Sequence, residues 1–113
     1  MNGEPAKPRV LIVDDEEVIT SVLSTILESW GFEPHAVNNP SEVLRLLERE
    51  EFDLILLDIR MPEISGLELL DRIKGIHPGV PVIMITAVGT AEAAVKALKL
   101  GAEDFITKPF DQD

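Results

Sequence analysis

Five polar residues stand where apolar runs of this sequence end. Asp14 and Asp15 follow the run from Arg9 to Val13, and Asp58 follows Leu54 to Leu57. Thr86 follows Pro81 to Ile85, and Lys108 follows Phe105 to Thr107. Three carboxylates brought to one place repel one another, and a bound cation relieves the repulsion. No histidine or cysteine accompanies them, so the donors are all oxygen, a set that favours Mg2+. Taken singly, Asp14 and Asp15 are equally well explained as caps of the helix that follows them.

The elements must therefore bring those run-ends together. The run from Arg9 to Val13 is short, apolar and β-branched, the pattern of a buried strand. After Glu16 the period changes: Val18, Ile19, Val22, Leu23, Ile26, Leu27 and Trp30 recur at helical spacing, and Gly31 follows as a stop. Glu33 to Val37 gives a second strand. Asn39-Pro40-Ser41-Glu42 opens a second helix that carries Val43, Leu44 and Leu47 and ends near Glu51. Leu54-Ile55-Leu56-Leu57 is apolar at every position, as a strand covered on both faces must be. Ser65-Gly66-Leu67-Glu68 opens a third helix ending before Gly75, Pro81 to Ile85 is a fourth strand, and Thr90 opens an alanine-rich helix closed by Gly101. Phe105-Ile106-Thr107 is the last strand.

Alternating strands and helices with short connections imply right-handed crossovers, hence an α/β fold with a doubly wound parallel sheet. In such sheets ligands bind beyond the carboxyl ends of the strands. All five residues would then share one rim. Asp53 begins the third strand and Asp58 ends it, roughly 16 Å away at ~3.3 Å per residue, so the two cannot serve one site. Asp104, at the start of the fifth strand, is excluded in the same way. A dinucleotide-binding sheet needs a glycine-rich turn after its first strand; Asp14-Asp15-Glu16-Glu17 stands there instead and would repel a pyrophosphate.

Composition narrows the classes further. The 113 residues suffice for one domain. A net charge of −11 argues against nucleic acid or an anionic membrane as a direct partner. The absence of cysteine excludes disulfides, thiolate catalysis and thiolate-ligated zinc. No apolar run approaches the ~18 residues of a membrane span, and residues 1–8 lack the apolar core of a signal peptide. The expectation is a cytoplasmic domain over residues 9–113 behind a flexible leader, 1–8.

Val13-Asp14-Asp15, Leu57-Asp58-Ile59-Arg60-Met61-Pro62, Ile85-Thr86-Ala87 and Lys108-Pro109-Phe110 occur in this order and spacing. On these motifs the chain resembles the receiver domains of bacterial response regulators in two-component systems, over nearly its whole length. The resemblance implies a flavodoxin-like sheet of five strands in the order 2-1-3-4-5. It implies that Asp58 is the phosphoacceptor of a histidine kinase, and that Asp15, Asp58 and the backbone carbonyl of Arg60 hold Mg2+, with Asp14 acting through water. It assigns Thr86, Ala87 and Lys108 to the phosphoryl oxygens, Phe105 to the switch that follows Thr86, Gly66 to the start of the third helix, and a cis bond to Pro109. The family's fifth helix is missing after Phe110, so the chain reads as C-terminally short and part of a longer protein. A C-terminal output domain is then expected, with homodimerisation on activation as a further association. Apart from its own phosphorylation and slow dephosphorylation, for which Arg60 and Val88 offer no acceptor to an attacking water, the domain is not an enzyme in this reading.

Two other functions fit the same sheet. A haloacid-dehalogenase-like phosphatase would need a second acid two residues after its nucleophile, where Arg60 stands. An unphosphorylated interaction module would have a degraded site, whereas all five site residues are present. Outside the site, Phe105 alternatively reads as a plain core residue. Trp30 reads as core or boundary packing, His35 and His77 as surface residues, and Glu48 to Glu51 as a solvated helix end.

Overall fold

The computed structural model describes residues 6–87 and 91–108. Five strands, β1 (Arg9–Val13), β2 (Glu33–Val37), β3 (Leu54–Asp58), β4 (Val82–Ala87) and β5 (Asp104–Lys108), form one parallel sheet. Its order is β2-β1-β3-β4-β5, as expected. The helices among the described residues are α1 (Glu17–Ser29), α2 (Val43–Arg49), α3 (Gly66–Ile76) and α4 (Ala91–Lys99), with a 3-10 turn at Pro40–Glu42 leading into α2.

Alternation along the strands divides the core in two. Leu11, Val13, Ile55, Leu57, Val82 and Met84 face one side, where Val43, Leu46 and Leu47 of α2, Leu69, Leu70 and Ile73 of α3, and Ala97 of α4 cover them. Val10, Ile12, Leu56 and Ile85 face the other, against Leu23 and Leu27 of α1. Both sides of β1 and β3 are thus buried, which explains their unbroken apolar sequences. Burial of each such side chain contributes about 1.5–3 kcal/mol.

Helix boundaries follow local chemistry. The Ser65 hydroxyl accepts from the Leu67 and Glu68 amides at 3.1 and 3.3 Å and starts α3. Asn39 accepts from the Ser41 amide and hydroxyl, with Pro40 buried at the first position of the turn. Gly75 does not end α3, which runs on to Ile76. Residues 88–90, including the expected start of α4, and residues 109–113 lie outside the described residues.

The apolar stripe of α1 is narrower than its sequence period suggests. Leu23 and Leu27 are buried, but Val18 is 72% and Trp30 70% exposed. Trp30 is therefore not core. It borders an apolar groove beside α1, with Leu23, Ile26, Leu27, Phe32, Leu54, Leu56, Ile83 and Ile106.

At the amino-terminal end of the sheet Arg9 ties three segments together. Its guanidinium meets Glu50 at 2.6 Å and Glu33 at 3.3 Å, donates to the Glu51 carbonyl at 3.0 Å, and lies 4.6 Å above the Phe52 ring. Its amide donates to Asp53 at 2.7 Å. His35 packs edge-on against Phe52, and His77 is half-buried with a buried Nε2, so neither is a plain surface residue. Glu48, Arg49 and Glu51 at the end of α2 are exposed, as expected of a solvated helix end, and only the half-buried Glu50 departs from it. Hydrogen bonding from Arg9 holds the Glu50 carboxyl below its ordinary value, against the opposing effect of desolvation. A carboxyl lowered on folding contributes stability above its unfolded pKa and loses it as pH falls through its folded pKa. The stability difference between the parent and Glu50→Gln should therefore be constant at neutral pH and shrink below the usual glutamate range of about 4.3. Urea unfolding across that range measures it, and a difference independent of acid pH would contradict the pairing.

Candidate phosphoacceptor site

The sheet register decides what meets at the carboxyl rim. Val13 pairs with Leu57, so Asp14, one residue past β1, stands level with Asp58 at the end of β3. Asp58 pairs with Ile85, Thr86 with Thr107, and Ala87 with Lys108. The backbones of Asp14, Asp58, Thr86, Ala87 and Lys108 thus lie along one edge, as expected from the ends of the apolar runs. Asp53 and Asp104 lie at the opposite ends of their strands.

Asp14 and Asp58 are 0% and 2% exposed. Burial of ionised carboxylates is costly without compensation, and backbone amides of Glu16 and Arg60 approach the two side chains. Carboxylate oxygens of Asp14, Glu16 and Asp58 lie within 4.8 Å of one another. Asp15 is exposed and outside that group. Sequence reasoning placed Glu16 in the acidic run after the first strand and at the start of a helix, but not with Asp58. One signal was available: Glu16 occupies the N-cap of α1, where glutamate is not among the preferred residues, and its side chain makes no capping bond.

The loops are tightly held. The Asp14 amide donates to the Val37 carbonyl at 3.2 Å, and the Glu16 amide donates to Asp14 Oδ1 at 2.9 Å. On the β3 side the Ile59 amide continues the ladder to the Ile85 carbonyl at 3.0 Å, and the Arg60 amide approaches Asp58 Oδ1 at 3.4 Å. Gly66 donates to the Ile59 carbonyl at 2.7 Å, which brings the start of α3 against the backbone of Asp58. Between them Glu63 has φ 72, and the Ile64 amide reaches the Pro62 carbonyl at 2.8 Å. Left-handed backbone at a non-glycine residue costs of order 1–3 kcal/mol and characteristically occurs beside functional sites.

Arg60 is exposed, and Phe105 is 39% exposed, too open for a plain core phenylalanine. Phe105 lies on β5 opposite Met84. Val88 and Pro109 lie outside the described residues.

The donor set fits a hard divalent cation: three carboxylates from two adjacent strand ends, with no softer ligand in the group. A parallel sheet with a buried aspartate at the tip of its central strand and acids on the next strand is compatible with a Mg2+-dependent phospho-aspartate site. The chain matches the response regulator receiver domain over residues 10–113 and belongs to that family. Receiver domains are phosphorylation-dependent signalling domains that bind Mg2+ at an acidic pocket.

Among curated relatives, the regulatory protein AtoC of Escherichia coli is 44% identical over 105 residues, covering 93% of this chain and 23% of its own length. The response regulator protein PilR of Pseudomonas aeruginosa is 45% identical over 106 residues, 94% of this chain and 24% of its own length. The chain thus spans about a quarter of the relatives it matches. Among solved structures, the receiver domain of NtrX from Brucella abortus superposes with a TM-score of 0.86 at 39% identity, covering 90% of this chain and 87% of that one. A CheY-like receiver domain protein from Methanospirillum hungatei gives 0.87 at 37% identity, covering 94% and 85%. No helix among the described residues is long and apolar enough to cross a membrane.

Proposed function

We propose that this domain is a phosphorylation switch in which the Asp58 carboxylate accepts a phosphoryl group from a sensor histidine kinase. The observation that carries the reading is the nearly complete burial of Asp58 at the carboxyl rim, beside Asp14 and Glu16. One Asp58 oxygen forms a bond to phosphorus as the nitrogen–phosphorus bond of the donor phosphohistidine breaks, and the departing electron pair returns to the imidazole. Anionic nucleophile and anionic phosphoryl group repel, so catalysis is largely charge neutralisation and positioning.

Mg2+ would be held by Asp58, Asp15 and the Arg60 carbonyl, with Asp14 acting through water, and would supply part of that neutralisation; Glu16, whose carboxylate lies with those of Asp14 and Asp58, would add to the negative charge that draws the ion. Lys108 supplies the rest as a cation opposite the phosphoryl oxygens. Thr86 donates its hydroxyl to one oxygen, the Ala87 amide faces another, and Phe105 follows Thr86, which changes the surface of α4 and β5. That surface then acts on a C-terminal output domain, or on a second copy through dimerisation, in the cytoplasm.

The test is exposure to acetyl phosphate with Mg2+, followed by borohydride reduction of the acyl phosphate and peptide mapping. One phosphoryl group should be gained, abolished by EDTA, with homoserine appearing at position 58. Modification at any other residue would refute the assignment.

The metal contacts are separable. Asp15→Ala should weaken Mg2+ binding more than about tenfold, as expected for loss of a carboxylate in direct contact, and Glu16→Gln by roughly threefold. Calorimetric titration distinguishes them. An unchanged titration in Asp15→Ala would take Asp15 away from the ion and leave Asp14, Glu16 and Asp58 as its side-chain ligands.

A further inference from the structure

We propose that Asn38 is a positioning residue of the acidic site, an inference that rests on the phosphoacceptor reading. Asn38 follows β2 at the carboxyl rim and belongs to neither strand β1 nor β3, which carry the acids. Its Nδ2 donates to the backbone carbonyl of Asp14 at 2.9 Å and to Thr20 Oγ1 at 3.1 Å. An amide nitrogen has two hydrogens, and these two bonds use both. Thr20, a residue only 3% exposed, donates its own hydroxyl hydrogen to the Glu17 carbonyl at 3.1 Å. A continuous brace therefore runs from the end of β2, through the backbone of the acidic loop, into the first turn of α1.

The brace answers a specific difficulty. Asp14, Asp15, Glu16 and Glu17 are four acids in succession. Their mutual repulsion favours opening the loop, most of all before a cation arrives. Asp14 is secured at its amide by Val37 and at its carboxylate by the Glu16 amide. Asn38 secures its carbonyl, at the peptide that joins Asp14 to Asp15. A neutral donor can do this without adding charge to the site, and a lysine in its place would compete with the metal. The structure holds its own control in the adjacent Asn39, of identical type, whose side chain binds Ser41 within the same turn. Asn39 caps a helix; Asn38 reaches across the sheet to the acids.

Asn38 is itself exposed and its two bonds are part-buried, so losing them should weaken Mg2+ binding by roughly threefold if the brace holds the loop in its metal-binding shape. The experiment compares calorimetric Mg2+ affinities of the parent, Asn38→Ala, Thr20→Val, the double variant, Thr20→Ser and Asn39→Ala, with thermal melting of each in EDTA. Asn38→Ala should bind Mg2+ more weakly, the double variant should be no weaker than the worse single one, and Thr20→Ser should restore the parent affinity. Asn39→Ala should lower the melting temperature and leave Mg2+ affinity unchanged. If Asn38→Ala changes melting alone, or if Asn39→Ala weakens Mg2+ equally, Asn38 is only a structural residue and the proposal fails. Failure of the phosphoacceptor reading looks different: the parent itself, or Asp58→Asn compared with the parent, would show no Mg2+-dependent binding difference.

Discussion

Asp58→Asn should gain no phosphoryl group from acetyl phosphate or a cognate kinase while remaining folded. The change is nearly isosteric, so the packing around a side chain that is 2% exposed is preserved. What disappears is the nucleophile: a neutral amide oxygen does not form a stable bond to phosphorus under these conditions, and the residue no longer offers a full negative charge to a cation. The loss should therefore be complete rather than partial. Removing one of three carboxylates lying within 4.8 Å also reduces repulsion, so stability in EDTA at low salt should equal or exceed the parent's. Intact mass and urea unfolding check the two halves. A normal adduct in the variant would remove Asp58 from the chemistry, and loss of the fold would mean that the carboxylate is primarily structural.

Gly66→Ala should be among the most destabilising single changes in the domain. A Cβ at this position would lie 2.7 Å from Ile59 Cα and 2.8 Å from the Asp58 carbonyl carbon, and nearer still to the Asp58 carbonyl oxygen. These are backbone atoms of a central strand, not flexible side-chain ends, so they cannot move aside without disturbing β3. Overpacking against fixed atoms costs about 3 kcal/mol or more. For a domain of this size that lowers the melting temperature by roughly 10–25 °C. Because the displaced backbone carries Asp58 and leads to Arg60, Mg2+ affinity should fall as well. Gly75→Ala is the control, since nothing lies within 4 Å of its added Cβ. Equal stability of the two variants would mean that α3 shifts without cost.

The sequence made the sheet and its rim legible because both depend on short-range patterns. Apolar runs marked β1, β3 and β4, helical periods separated them, and the polar residue ending each run had to lie at the carboxyl edge. Ser65 was legible for the same reason, since its cap is satisfied by its own helix. What stayed hidden depends on distant partners. Glu50 belongs to a helix end by sequence and to Arg9 by structure, a pairing that no local pattern encodes. Trp30 continues the apolar period of α1 but stands just past its last turn, at the edge of the groove, and is left mostly exposed. Glu16 was hidden by its role at a helix start, and its approach to Asp58 follows from the register of β1 against β3. Gly75 resembles a helix stop, yet a glycine in the helical region costs only about 1 kcal/mol, and the surrounding contacts carry α3 past it.

The pairing of β1 with β3 has a kinetic meaning. Val10 lies opposite Leu54, so all of α1, β2 and α2 intervene in the chain between the two halves of the acidic group. Bringing such distant segments together is an entropically expensive step, and contacts of this kind are slow to form. No locally structured fragment, neither the β1–α1–β2 unit nor the β3–α3–β4 unit, contains both Asp14 and Asp58. With Asp58 as the proposed acceptor, a nascent or partly denatured chain would not be phosphorylated until its two central strands had met. Covalent labelling would then count assembled molecules, and the strength of the signal a cell receives would depend on folding yield as directly as on the stimulus.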